Sequence, residues 1–350
     1  MIEVLERVEC ESETFVELLK HGNDDDTVRD AARVSHAACS ESASPTLINY
    51  LAKNDHFTPF GHARYGFEIK VDDRQMIDWL STRAPGWCIS RALDPSAYLL
   101  EGSLFNWLSA ARSYYAGEAY DFPNMQEVYF EGILRHLMEN GCIDSVRAFL
   151  PEPVFDRIAK APRYPVYASP GTWLTLRIKA PVFILRQMMR SNHEIVYNEV
   201  SRRYVSDDPV FFVPTQWRRK PKKGIKQGSG EGEVRTFDIK EINEWIAERS
   251  CFPFAIDLAT AYLDWAQTAE ELYKLFIGSG VAPEMARMIL PVTHYSEVWM
   301  TASPSALNRI TGLRSNRGTN NHAQKEIEEV SRAIEHCIES EAEYEQRDRL

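Results

Sequence analysis

Two stretches of the chain alternate apolar and polar positions as half-buried strands do: Phe67 to Val71, and Trp173 to Ile178, where the alternation is partly broken. They read as two strands of one sheet. The first residues, Met1 to Arg7, alternate in the same way. Elsewhere the apolar period is helical. Ser103 to Tyr115 and Val128 to Met138 carry apolar residues at helical spacing, and Pro151, Pro153, Pro162 and Pro165 then mark a loop return. The aromatic residues of this region read as core packing. From Phe252 to Phe276 apolar residues recur every three or four positions until Gly278-Ser279-Gly280 ends the run, which predicts a long helix with a buried face and a glycine stop. A helix from Glu284 to Leu290 comes next. Near the C-terminus Ala323, Ile327, Val330, Ile334 and Cys337 share one stripe with acidic residues opposite, the pattern of a helix whose outer face is solvated. Residues 216–233 are basic and glycine-rich, a flexible surface loop that serves either as a solvated linker or as a lid over a phosphate or folate.

At 350 residues and 44% hydrophobic, the chain can bury one large core or two modest ones. No apolar stretch approaches the roughly 20 residues that span a bilayer. The N-terminus carries neither a basic leader nor a small-residue cleavage site, so a soluble chain in the cytoplasm is expected, that of the host if a phage encodes it. Six scattered cysteines without CxxC spacing argue for reduced thiols. A net charge of -11 repels nucleic acid polymers, which makes the basic residues near 202–226 a local site within an acidic envelope. No metal site is expected. His193-Glu194 begins like a zinc protease helix, but Tyr197 stands where HExxH needs its second histidine. His36, His56 and His62 have no cysteine or carboxylate beside them at ligand spacing. Gly228-Ser229-Gly230 lacks the spacing of a nucleotide-binding loop.

The chemistry concentrates between Gln187 and Tyr204. Arg190, Arg202 and Arg203 each offer a planar fork of donors suited to phosphate oxygens, Ser201 adds a hydroxyl, and Glu199 accepts from a sugar or a base. By residue type alone the segment also fits a solvated amphipathic helix. Its order, however, resembles the flavin-dependent thymidylate synthases, the ThyX family: Gln, two apolar residues, Arg-His-Arg, then Ser-x-Arg-Tyr. Gln187, Arg190, Asn198-Glu199, Ser201, Arg203 and Tyr204 match that order, whereas Ser191-Asn192 replace the family's His-Arg and one extra residue precedes Ser201. In a helix that residue would rotate the downstream side chains by about 100 degrees, so a bulge or loop is expected instead. Asp30 to Ser35 followed by His56 to His62 resembles the family's N-terminal segments, with Gly61 where an acidic residue is usual. Gly280 to Pro291 resembles its arginine-bearing helix, and Leu313-Arg314 with His322 to Ile327 resembles its last motif.

The resemblance implies an α+β fold, a central sheet flanked by long helices in one catalytic domain over 1–350, with 72–171 a mainly helical insertion. It implies reductive methylation of dUMP at C5 to dTMP, with FAD as carrier, NADPH as reductant, methylenetetrahydrofolate as carbon donor and no cysteine nucleophile. Related C5 modification of UMP or dCMP, or a non-catalytic nucleotide-binding descendant, stays open. By the resemblance Arg314 polarises the base and His56 lies near flavin and folate. Gln187, Arg190, Glu199, Ser201, Arg202, Arg203, Arg287 and Arg314 hold the nucleotide. Ser35, Thr58, Arg190, Ser191, Asn192, Glu199, Arg309, Leu313 and His322 hold the flavin. Losing a ring and a guanidinium beside a diphosphate forfeits about 1.5 to 3 kcal/mol. Arg202, His193 or the loop from Arg218 to Lys226 is the expected replacement. Family members are homotetramers with shared sites, and the same assembly is expected here, with small-molecule nucleotide and folate as its partners.

Overall fold

Strands of alternating character build two antiparallel sheets in the computed structural model. It describes residues 2–35, 45–70, 74, 87–91, 96–116, 127–161, 163, 166, 168–170, 172–220, 229, 232–236, 257–315 and 323–348. The larger sheet has five strands in the order β1 (Glu3–Glu9), β2 (Phe15–Lys20), β7 (Leu174–Pro181), β9 (Tyr295–Ala302), β8 (Ile195–Glu199). The smaller has four: β4 (Cys88–Arg91), β5 (Ala97–Ser103), β3 (Arg64–Lys70), β6 (Ala168–Pro170). The fold is thus α+β, as the alternation and the resemblance implied.

The two strands expected in one sheet lie in different sheets. β3 pairs along its whole length with β5, from Arg64 against Ser103 to Lys70 against Ala97, and its other edge takes β6. β7 likewise has both edges occupied, by β2 and β9. With no edge free on either, the two cannot pair. The stretch from 72 to 171 therefore supplies β4, β5 and β6 as well as α3 (Leu104–Tyr115), α4 (Glu127–Glu139), α5 (Ile143–Phe149) and α6 (Glu152–Lys160). Ser103 caps α3 through a reciprocal bond with Asn106. Pro151 and Pro153 open α6 rather than marking a loop, because a proline in the first turn has no hydrogen bond to lose; Pro162 and Pro165 lie outside the described residues. These helices, with α1 (Asp25–Val34) and α2 (Pro45–Lys53), enclose a core around Phe60, Phe67, Trp107, Phe130 and Ile133.

Alternation gives the larger sheet two unlike faces. Val16, Leu18, Leu176, Ile178, Val298 and Met300 point under α10 (Pro304–Arg314) and α11 (Lys325–Asp348). From α11, Ile327, Val330, Ile334 and Cys337 meet them as the stripe predicted. The opposite face carries Glu17, Leu19, Thr175, Arg177, Lys179, Glu297, Trp299 and Thr301.

Two helix expectations change. The long helix is α8, Leu258–Gly278, and only Ala266, Ala269 and Tyr273 are buried along it. Leu263, Trp265, Leu272, Leu275 and Phe276 are exposed, since no described part of this chain lies over them. Residues 252–256 lie outside the described residues. The helix expected over 284–290 is a single turn, α9 (Pro283–Ala286), continued by a 3-10 turn at Arg287–Ile289. Leu290 turns extended before Pro291, whose ring disfavours helical geometry in the residue that precedes it.

Candidate functional site

The segment from Gln187 to Tyr204 is not a continuous helix. α7 (Val182–Met188) ends, a turn intervenes, and β8 begins at Ile195. The extra residue is absorbed in that turn, where Glu194 takes a left-handed conformation at φ 58°. A clamp holds it there. The Glu194 carboxylate accepts from Ser303 Oγ at 2.6 Å and from Ser305 Oγ, with Arg309 3.8 Å away, while Arg309 donates to the His193 carbonyl at 2.7 Å. The turn is thereby tied to the start of α10.

The same two elements meet again at the other end of α10. Arg314 donates to the Gln187 carbonyl at 2.6 Å, and Gln187 donates its amide to Gln324 at 2.9 Å. Tyr197 donates to the carbonyls of Met188 and Ser191, closing the turn from the strand side. The Arg314 Nε is buried without a partner. Burial lowers the Arg314 pKa, nearby Arg190 adds to that, and Tyr197 opposes it. Two neighbouring guanidiniums with a donor unspent form an anion-seeking site.

Glu199, at the end of β8, has its pKa raised by burial, against the pull of Ser296, Arg186 and Arg287. Arg287 is exposed on its 3-10 turn. Ser201 donates its backbone N–H to the Ser35 carbonyl at 3.0 Å, so the first motif and the central one are in contact. Arg203 is exposed beside Ser201 and over the Tyr204 ring. Arg202 is bound to Asp207 and Arg218 to Glu326 in a two-pronged pair, whereas His193 is exposed. Of the expected replacements for the missing flavin contacts, Arg202 and Arg218 already have carboxylate partners. Lys222, Lys223, Lys226 and His322 lie outside the described residues.

Other candidates are dispersed. Asn192 and Leu313 are exposed. His56 and Thr58 are exposed on the turn after α2, with His56 edge-on to Tyr50. Gly61 is explained by space. A Cβ there would stand 2.9 Å from Val196 Cγ1, so any side chain collides with β8. His62 is fully buried and hydrogen-bonded to Thr301 and Asn198. The structure also shows what residue-type reasoning missed: Arg186 and Tyr197 around the arginines, the Glu194 clamp, and a cleft of about 690 Å³ on the polar face of the larger sheet. Arg33, Arg177, Lys179, Arg202 and Trp299 are among its walls. Its signal was present in the charges at alternate positions of β7.

The donor set of Arg190, Arg287, Arg314 and Ser201 suits an anionic nucleotide, and the unspent Arg314 Nε is the observation that says so. A family model described as thymidylate synthase complementing protein matches residues 172–342. Among curated proteins, the flavin-dependent thymidylate synthase of Tropheryma whipplei is 33% identical over 170 residues, 46% of this chain and 62% of that enzyme. That of Streptomyces avermitilis is 30% identical over 165 residues, 46% of this chain and 61% of that enzyme. The chain thus spans less than two thirds of the length of these relatives. That of Aquifex aeolicus is 25% identical over 337 residues, 91% of this chain and 94% of that enzyme. Among solved structures, the UMP/dUMP methylase PolB from Streptomyces cacaoi bound with 5-Br UMP is similar at 19% identity and a TM-score of 0.41, covering 95% of this chain and 91% of that one. The resemblance carried by the four motifs is borne out.

Proposed function

We propose, from the premise that this chain belongs to the flavin-dependent thymidylate synthases as a divergent member, that it methylates dUMP at C5 to give dTMP. The observation that carries the reading is Arg314: anchored on the Gln187 carbonyl, half-buried, and left with an unpaired Nε beside Arg190. C5 of uracil is a poor nucleophile. A fixed cation at the base edge stabilises the charge that develops on the ring carbonyl as C5 attacks, and it does so without reorganising at that moment. Burial strengthens the effect by thinning the water around the guanidinium. Arg287, Arg203 and Ser201 hold the phosphate, and Gln187 and Glu199 orient the nucleoside.

The three cysteines whose side chains are described give thiol chemistry little support. Cys10, Cys142 and Cys337 are free, and burial pushes Cys10 and Cys337 up to about 12 and raises Cys142 as well, so none is a ready nucleophile. FAD, when bound, supplies the electrons that reduce the one-carbon unit delivered by methylenetetrahydrofolate, with NADPH as the source. Ser35, Thr58, Arg190, Ser191, Asn192, Glu199, Arg309, Leu313 and His322 are the residues proposed to hold it. Arg309 is partly committed to His193 and Glu194, which leaves Arg190 as the exposed cation of that group.

The homotetramer is proposed on the exposed apolar residues of α8, with Met285 and Met288 beyond them. Mass spectrometry after anaerobic incubation with FAD, NADPH, methylenetetrahydrofolate and equal dUMP, UMP and dCMP tests the reaction. A methyl group on dUMP alone supports the reading. Product on UMP or dCMP moves the substrate, and no product from FAD-loaded protein rejects methylation.

A further inference from the structure

A small pocket of about 250 Å³ lies between α7, α8 and the residues that begin α11. Four aromatic rings line it: Phe183, Phe212, Trp217 and Tyr262. Phe183 stands edge-on to Phe212 and Trp217 edge-on to Tyr262, with centroids 5.8 and 5.4 Å apart. A short antiparallel strap holds Trp217 in place: Val234 donates to the Trp217 carbonyl at 2.7 Å, and Arg219 donates its backbone N–H to the Gly232 carbonyl at 3.1 Å. The volume admits one fused ring system, not a whole dinucleotide.

The pocket is neutral and has donors unspent. Arg218 and Glu326, both in its wall, cancel in their two-pronged pair, which takes both carboxylate oxygens at 2.8 Å. Tyr262 spends its hydroxyl hydrogen on the Phe212 carbonyl. Trp217 Nε1, which can only donate, is buried without a partner. Gln324 accepts from Gln187 through Oε1, which leaves its amide nitrogen as a second donor. A ring that presents N–H groups along its edge, such as uracil or a pterin, needs a free acceptor, and Glu326, the one carboxylate among the described residues of this wall, is already committed. Adenine fits: its ring nitrogens accept, its amine has the Thr293 hydroxyl to donate to, and its faces stack on aromatic rings.

Beyond Trp217 the strap turns basic. Arg219 and Lys220 are exposed, and neither has an ion-pair partner among the described residues. Side chains alternate along extended backbone, so Lys220 shares the side on which Arg218 reaches Glu326. None of the residues proposed above to hold the flavin lines this pocket. The other dinucleotide of the proposed reaction, NADPH, carries phosphate at both the 2′ and 5′ positions of its adenosine, and the strap offers a cation for each. We propose that the pocket binds the adenosine end of NADPH, with the adenine beside Trp217 and the phosphates on Lys220 and Arg219. The identity of the dinucleotide rests on the methylation reading. Gln324 joins this pocket to Gln187, so the anchored end of the reductant borders the proposed nucleotide site.

Calorimetric titration of the full chain, without flavin or dUMP, uses adenosine 2′,5′-bisphosphate and adenosine 5′-monophosphate, which differ only in the 2′-phosphate. The bisphosphate should bind about 10- to 100-fold more tightly, the worth of one charge-assisted phosphate contact. Arg219→Ala combined with Lys220→Ala should erase that difference, and both positions are exposed, so the fold is spared. Trp217→Phe keeps an aromatic ring, removes the N–H and should weaken both ligands alike. Failure of the bisphosphate to bind, or a preference that survives in the double alanine variant, would overturn the proposal. Equal affinity for the two probes, with FAD displacing both, would hand the pocket to the flavin and overturn it too. Neither probe carries a hydride or a one-carbon unit, so the titration is independent of methylation. Formation of dTMP with NADPH, but no binding of the bisphosphate, rejects this site and leaves the reaction standing; binding without any methylated product does the reverse.

Discussion

The arginines of the candidate site divide into two kinds. Arg314 is half-buried, anchored to a backbone carbonyl and enclosed by Tyr197 and Arg190. Arg203 and Arg287 stand exposed, Arg203 on a loop beside Ser201 and the Tyr204 ring, and Arg287 on its 3-10 turn, from which its charge acts on Glu199. Folding has already ordered the first kind, so its guanidinium needs little rearrangement to act on a reacting base. The second kind is ordered by what it binds, which suits a phosphate grip that forms and releases. Next to that open end lies the uncovered apolar stripe of α8. A second copy of the chain packed there would complete on the open end what α10 completes on the closed one.

The largest effect tests that completion. Leu275, 64% exposed in the isolated chain, becomes a buried position if α8 is an interface, and Leu275→Glu would then bury an unpaired charge at a cost of about 3–5 kcal/mol per contact. Sedimentation should show a smaller assembly and activity should fall with it. An unchanged assembly would show that the open end is closed by something other than α8. Next comes Arg314→Ala, expected to lower kcat by about 10²–10³ while dUMP still binds, because the lost contact strengthens only as charge develops. A rise in KM with kcat intact would make Arg314 a binding residue like the exposed pair.

How much of this was legible depends on whether a residue's role is local. The α11 stripe, the helical spacing of α3 and the strand alternation of β7 are local and are visible in the sequence. That β3 and β7 occupy separate sheets was hidden, because each strand's alternation is the same whichever partner takes its edges. The buried face expected for α8 failed for a related reason: periodicity shows that a helix has an apolar stripe, not whether its own chain covers it. At the site, the order of motifs brought Gln187, Arg190, Glu199, Arg287 and Arg314 onto neighbouring elements. The roles of Tyr197 and Glu194 stayed hidden, because they lie in contacts with Met188, Ser191, Ser303 and Ser305, which only the fold creates.

The exposed pair gives the third test. Arg287→Ala removes a charge-assisted phosphate contact worth about 1.5–3 kcal/mol, so KM for dUMP should rise roughly 10- to 100-fold with little change in kcat. A uridine nucleoside lacking the phosphate should lose this sensitivity. If kcat falls as steeply as in Arg314→Ala, the division between the two kinds of arginine disappears.

The smallest effect falls on the scaffold that keeps the closed end closed. Gly61 packs against Val196, two residues before Asn198 on the edge strand β8, and a Cβ at Gly61 would sit 2.9 Å from Val196 Cγ1. Gly61→Ala should cost about 1–3 kcal/mol by overpacking, a drop of a few degrees in Tm. Val196→Ala opens a small cavity by itself, yet combined with Gly61→Ala it removes the clash, so the double variant should be more stable than the two single losses predict. Strict additivity would mean that β8 shifts away from the turn instead of pressing on it. In that case FAD and dUMP affinities should weaken in Gly61→Ala, because Glu199 lies on the same strand and Ser201 just beyond its end. Additive loss with both affinities unchanged is the result that detaches the Gly61 contact from the site.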